Sequence, residues 1–299
     1  VSDSEKTKFK KNILISGGSR GIGKSAAYLL RQSDYQVLAP SSQELDQSSA
    51  KSVQDYFLRN FQGHENDENA EKDDENAEIE DCEQYLEGTA HNRTSSRLRR
   101  TNDRSVLQVH EDHEDNENAE IEDCEQSLYG LIVNAGVYHS SCFEEYCFND
   151  WQRVLDVNLN GAFHLVKAAL PLLKTYVELN PESYSRIIFI SSVSAYAGEL
   201  YAPAYSASKA ALIALAKSLA LEFAKYKITV NSICPGWVKT DMALNQMPNE
   251  DSVKGSLGAT LQNRWIEPEE IAHAISYLLS EPAKGITGQQ LNITAGLDI

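Results

Sequence analysis

The 299-residue chain combines 41% hydrophobic residues with a formal net charge of −17. That supplies a substantial core and argues against nucleic acid as a partner, since phosphate backbones demand clustered Lys and Arg. No apolar run approaches the ~20 residues that span a bilayer, and the lysine-dotted opening (Lys6, Lys8, Lys10, Lys11) lacks the apolar stretch of a secretory signal. Five cysteines, an odd number without a C-x-x-C pair, suit free thiols in a reducing compartment. A cytoplasmic chain with no membrane partner is the expectation.

In chain order, a β-branched run predicts a strand over 11–16, and the Ala/Leu-rich KSAAYLLRQ predicts a helix over 22–32. Between them stands SGGSRGIG, with Gly17, Gly21 and Gly23 spaced G-x-x-x-G-x-G. A glycine turn between strand and helix favours a phosphate cradle, because the backbone can approach the anion and the helix N-terminus offers unpaired N–H groups. Short strands over 36–39 and 44–46 and a helix over 48–61 follow.

The segment 63–127 breaks the pattern. It holds 22 Asp and Glu against 6 Lys and Arg, a net of −16, so the other 234 residues are close to neutral. ENAEIEDCEQ occurs twice unchanged, at 75–84 and 117–126. This duplication does not make a solenoid; charge and scarce aromatics predict a disordered or loosely helical insertion. Its histidines and cysteines lack zinc spacing and its acidic runs lack the EF-hand pattern, so no metal is expected.

Beyond it come strands over 130–134, 186–191, 228–233 and 289–293, with helices over 151–176, 203–225 and 268–280. Strand–helix alternation predicts a single doubly wound α/β domain with a parallel seven-stranded sheet, a Rossmann fold carrying the acidic insertion. The insertion joins a helix end to a strand start. In such sheets that is the edge away from the ligand.

YSASKAAL places Tyr205 and Lys209 one helical turn apart on one face, and Ser191 and Ser192 close the apolar run IIFI thirteen residues before the tyrosine. SGGSRGIG, VNAG, the Asn of DVNLNGAF, the Ser of FISSVSAYAG, YSASK and CPGWVKT together resemble the successive motifs of the classical short-chain dehydrogenase/reductase family, with a flavour of 3-oxoacyl reductases. The likeness covers about 234 residues. Departures are Ser16 in place of Thr, Val133 in place of a first Asn, and the insertion.

The resemblance implies hydride transfer between a nicotinamide nucleotide and a ketone or secondary alcohol, such as a 3-oxoacyl thioester. Hydride addition leaves negative charge on oxygen, so the site needs a proton donor and hydrogen bonds to that oxygen. By resemblance Tyr205 is the donor, Lys209 favours its phenolate and binds the nicotinamide ribose, Ser192 bonds the substrate oxygen, and Asn158 positions the lysine. The implied cofactor contacts are Gly17, Ser19, Arg20, Gly21, Ile22 and Gly23 in the turn, Ser41, Ser42 and Asp46 beyond the second strand, and Asn134, Ala135 and Gly136 after the fourth. Tyr205, Lys209, Pro235, Gly236, Val238 and Thr240 complete them. Ser41 and Ser42, at the end of the second strand where the family's NAD members carry an acid, and Arg20, which resembles the family's basic residue for the 2′-phosphate, favour NADP(H), with NAD(H) still open. Family members pair helices matching 151–176 and 203–225 between subunits, which implies a homotetramer or homodimer. A rival reading is a nucleotide-binding interaction protein whose acidic insertion recruits a partner.

Overall fold

The computed structural model describes residues 11–61 and 126–297, apart from positions 34 and 248. The predicted insertion over 63–127 lies outside these residues except for its last two positions.

Six parallel strands form the sheet: β1 (Lys11–Ile15), β2 (Tyr35–Leu38), β3 (Gly130–Val133), β4 (Ser185–Ile190), β5 (Ile228–Pro235) and β6 (Gln290–Ile293), in the order β2-β1-β3-β4-β5-β6. The central strands are apolar because both faces are covered, and alternate residues serve opposite layers. Leu14, Leu131, Ile187, Phe189 and Val230 face one core, with α2 (Ala50–Phe61), α4 (Gly161–Leu179) and α6 (Pro203–Phe223). Ile13, Ile15, Ile132, Ile188, Ile190 and Ile233 face the other, with α1 (Gly21–Arg31) and α9 (Pro268–Leu279). Shorter helices are α3 (Phe148–Leu155), α5 (Ser194–Ala197), α7 (Asp241–Leu244) and α8 (Glu250–Gly258).

Two expectations need correction. Among the described residues the sheet has six strands rather than seven, because 44–46 is not extended. The Ser41 carbonyl accepts from the amides of Glu44 and Leu45, and the Ser41 amide and hydroxyl each donate to Glu44 Oε2 at 2.8 Å. Local side-chain bonds of this kind compete with a sheet ladder. The helix predicted over 151–176 is interrupted: α3 and α4 are joined by a π turn, Asp156–Asn160. Such turns insert one residue into a helix and often mark functional sites.

The strand order reverses beside β1, where β2 lies on one side and β3 on the other. Ligands of open α/β sheets bind outside the strand carboxyl ends at such a reversal. The described chain stops at the end of α2 and resumes four residues before β3, at the opposite edge.

Candidate active site

A cavity of about 610 Å3 opens at the carboxyl ends of β1, β3, β4 and β5. At its β1 side the glycine turn is shaped by what it lacks. Gly17 has φ +66°, and a Cβ there would lie 2.9 Å from Ala135 Cα; a Cβ on Gly23 would lie 2.3 Å from the Gly17 carbonyl oxygen. Helix α1 then starts at Gly21 with no side-chain cap and no acidic residue in its first turn. Its leading amides and positive dipole end are left for an anion.

The turn is tied to β3 by reciprocal bonds. Asn134 Nδ2 donates to the carbonyls of Ser16 and Gly17 at 3.0 and 3.1 Å, while Ser16 Oγ accepts from the amides of Asn134 and Ala135 at 3.0 and 3.1 Å. A hydroxyl acceptor is what position 16 requires, and Ser supplies it as Thr would.

Beyond β2, Ser42, Asp46 and Gln47 line the cavity, as does Arg20. Ser41 does not. Both its donors go to Glu44, whose carboxyl they hold below the usual carboxylate range. Asp46 accepts from the Ser48 amide and hydroxyl at 3.0 and 2.7 Å. Gln47 Nε2 donates to the carbonyls of Ala135 and Val157 at 3.0 and 2.7 Å, leaving its Oε1 a buried acceptor without a partner.

On the β4 side, Tyr205 and Lys209 stand one turn apart on α6, which opens with Pro203 in its first turn, where the missing N–H is no loss. Lys209 is buried, and its Nζ donates to the Ile190 carbonyl at 2.9 Å. Ser191 Oγ donates to the Lys209 carbonyl at 2.7 Å, so the end of β4 grips the helix from both sides. Desolvation disfavours the charged form of each group. It lowers the Lys209 ammonium to about 8. Burial and the Glu199 charge raise Tyr205 to about 12, against a smaller opposing contribution from Ser192. The expected lowering of the phenol by the ammonium does not dominate, although Lys209 Nζ lies 5.6 Å from the Tyr205 ring centroid. Tyr205 therefore keeps its proton at neutral pH.

Asn158 occupies the π turn, buried behind the cavity wall. Its Oδ1 accepts from the Val137 amide at 2.8 Å; its Nδ2 donates to the Val137 carbonyl and to Ser208 Oγ, both at 3.0 Å. A Cβ on Gly136 would sit 3.2 Å from Asn158 Oδ1 and 3.4 Å from Lys209 Nζ, so this glycine lets the two groups converge.

Of the sequence-predicted residues, Gly17, Ser19, Arg20, Gly21, Ile22, Ser42, Asp46, Asn134, Ala135, Gly136, Ser192, Tyr205, Lys209, Pro235, Gly236, Val238 and Thr240 line the one cavity. Gly23, Ser41 and Asn158 do not; the first and last act by packing and hydrogen bonding. Sequence reasoning missed Gln47, Ser208, Tyr138, Ser194 and Glu199. For Ser194 and Glu199 the signal was their place between Ser192 and Tyr205; the others carry none without the fold.

The turn that excludes side chains, the uncapped helix start and the orphaned Gln47 acceptor fit a dinucleotide. The matches to other proteins agree. Residues 89–298 match the family described as enoyl-(acyl carrier protein) reductase. The chain is 29% identical over 294 residues to the 3-oxoacyl-[acyl-carrier-protein] reductase FabG of Aggregatibacter actinomycetemcomitans, covering 97% of this chain and 100% of that one. It is 31% identical over 176 residues to the D-beta-hydroxybutyrate dehydrogenase of Rhizobium meliloti, covering 56% of this chain and 66% of the relative. A crystal structure of 3-ketoacyl-(acyl-carrier-protein) reductase from Brucella melitensis complexed with NADH shares the fold, with a TM-score of 0.67 at 17% identity over 97% of this chain and 98% of that one.

Proposed function

The chain belongs to the classical short-chain dehydrogenase/reductase family, and on that premise we propose that it interconverts a ketone and a secondary alcohol with a nicotinamide nucleotide. The observation that carries this reading is the convergence of Ser192, Tyr205 and Lys209 on a cavity whose other end is a phosphate cradle.

Bound there, the nicotinamide nucleotide supplies or accepts the hydride. Gly17, Gly21 and the first turn of α1 would hold its phosphates, with Asp46 and Asn134 toward the adenosine end and Val238 and Thr240 toward the nicotinamide end. Ser192 would hydrogen-bond the substrate oxygen. Tyr205 would hold the proton that this oxygen gains on reduction and loses on oxidation, work typically worth about 10²–10⁴-fold in rate. Lys209 would place an ammonium behind it, with Asn158 as a positioning residue across Gly136. Two hydroxyls beside one oxygen suit a forming alkoxide, so a carbonyl fits better than an enoyl double bond. The full Asn158, Ser192, Tyr205 and Lys209 set leaves the rival reading, an interaction protein, without support.

Finer readings extend this. Arg20 and Ser42 on the cavity wall support NADP(H), Ser41 no longer adds to that support, and NAD(H) fits the same cradle. The relationship to FabG supports a 3-oxoacyl thioester as substrate. Exposed Phe163 on α4 and Leu221 on α6 support pairing of these helices in a homodimer or homotetramer, which a single-chain mass by light scattering would contradict. No helix among the described residues is long and apolar enough to cross a membrane, and Cys142, Cys147 and Cys234 are free thiols, which supports a cytoplasmic setting.

The test is oxidation of NADPH and NADH, followed at 340 nm, with simple ketones, 3-oxoacyl thioesters and 2-enoyl thioesters. Turnover of ketones or 3-oxoacyl thioesters is the expected result. Turnover of the enoyl thioesters alone would overturn it.

A further inference from the structure

The substrate end of the cavity carries a carboxylate to which the proposed reaction gives no task. Glu199 lines the cavity just after α5, where Gly198 turns the chain at φ +74°. Its carbonyl accepts from the Ala202 amide at 3.2 Å, and the next residues are tied to the loop after β3 by the Ser141 amide, which donates to the Tyr201 carbonyl at 2.9 Å. Glu199 Oε1 accepts from the Tyr138 hydroxyl at 3.0 Å, and Oε2 accepts from the Ser194 hydroxyl at 2.5 Å. Both partners are neutral. Among the described residues no ion pair compensates the charge.

This charge stands beside the reacting groups. The Ser194 amide donates to Ser192 Oγ at 3.1 Å while the Ser194 hydroxyl holds Glu199, so one residue separates the carboxylate from the oxygen that would bond the substrate. Tyr138, on the other carboxylate oxygen, stands edge-on to Tyr205 with ring centroids 5.1 Å apart. Glu199 is half-buried, so solvent and salt screen it less than a surface charge.

The cavity offers no compensating cation at this end. Among the described residues that line it, the cations are Arg20 and Lys209. Arg20 belongs to the glycine turn, at the far end. Lys209 is buried, and its Nζ is engaged with the Ile190 carbonyl. The other charged groups on the wall, Asp46 and Asp241, are acids. In a 3-oxo acid the carboxylate carbon is two bonds from the ketone carbon. With the ketone oxygen held at Ser192, that anion would enter the field of Glu199 without a counter-ion, and juxtaposed like charges of this kind reject a ligand strongly. A neutral group meets no such barrier, and each Glu199 oxygen retains a lone pair for an O–H or N–H donor.

We propose that Glu199 determines substrate specificity by charge, excluding ketones that carry a carboxylate next to the carbonyl and admitting neutral ones such as 3-oxo esters and thioesters. The inference rests on the proposed function, since it takes Ser192 and Tyr205 as the site of the ketone oxygen, and it narrows the substrate class of that site.

Acetoacetate and methyl acetoacetate test it, because at neutral pH the pair differs by one charge and one methyl group. Wild-type kcat/KM is expected to favour the ester by on the order of 100-fold, mainly through KM. Glu199→Gln, which keeps the size and removes the charge, should shrink that ratio at least about tenfold, with Glu199→Ala as a second variant, whereas Glu199→Asp should preserve it. The Glu199 charge also helps raise Tyr205, but that influence acts on both substrates and cancels in the ratio. Trp237 lines the cavity, so quenching of tryptophan fluorescence reads the same preference in binding, without turnover. Equal use of acid and ester by the wild type would overturn the assignment, as would a ratio unchanged in both Glu199→Gln and Glu199→Ala. Wild-type protein that turns over neither ketone would strike the proposed function, and the binding preference would still decide the role of Glu199.

Discussion

The two ends of the cavity are built on opposite principles. The Ser16–Gly23 turn is a backbone surface, defined by atoms that are missing: added Cβ atoms on Gly17 and Gly23 would come within 2.9 and 2.3 Å of their neighbours. The Ser192–Lys209 end is a side-chain surface, where buried polar groups are held by specific partners and shifted by desolvation. One end should therefore fail when atoms are added and the other when atoms are removed.

The largest effect at the cradle should come from Gly23→Ala. Its methyl group meets a backbone oxygen that cannot swing aside, so nucleotide affinity should fall by at least about tenfold, which corresponds to ~1.4 kcal/mol. Calorimetric titration with NADPH and NADH measures this, and wild-type affinity in the variant would break the comparison.

Lys209→Met sharpens the other side. The folded-state lysine gives up its proton near 8, whereas its ordinary value is 10.5. Between those values the folded protein binds fewer protons than the unfolded chain, so the stability of the wild type rises with pH across that window. Below about pH 8 the cost of burying the ammonium is present in full. Relative to wild type, the variant should thus be most favoured below pH 8 and lose that advantage toward pH 10.5, as thermal unfolding in the absence of nucleotide would record. A stability difference independent of pH would contradict the assigned burial cost.

Ser16→Ala should act more mildly, removing one acceptor that serves two amides, at a cost of about 1–3 kcal/mol for the unsatisfied donors, while Ser16→Thr should be close to neutral. Equal denaturation midpoints for Ser16→Ala and wild type would show that water replaces the hydroxyl. Smallest is Arg20→Ala, expected to weaken NADPH binding severalfold, as an exposed cation is screened by solvent, with NADH binding nearly unchanged. Equal weakening of both nucleotides would remove Arg20 from cofactor discrimination.

The contrast also explains what was legible beforehand. Glycine spacing, apolar runs and the Tyr205–Lys209 interval are local, so the glycine turn, six of the seven expected strands and the Ser192, Tyr205 and Lys209 side chains of the cavity could be read along the chain. Residues 44–46 could not, because Leu45 and Asp46 look strand-like until the Ser41–Glu44 bonds close the turn. The π turn at Asn158 was hidden too, since the five residues Asp156–Asn160 are too few for a change of period to show in the apolar pattern. Gln47, Tyr138 and Ser208 gain meaning only when the fold brings the first two to the cavity and Ser208 to Asn158. The acidic repeats at 75–84 and 117–126 lie outside the described residues apart from Gln126, and their expected looseness stands as a proposal from composition.

The most direct measurement is the rate of NADPH and NADH oxidation at 340 nm by wild type and Tyr205→Phe with the best ketone substrate, alongside nucleotide affinity by fluorescence. The account predicts kcat about 10²–10⁴-fold lower in Tyr205→Phe with nucleotide affinity preserved. Undiminished turnover in the variant would contradict it, because the proton would then reach the substrate oxygen by some route other than Tyr205.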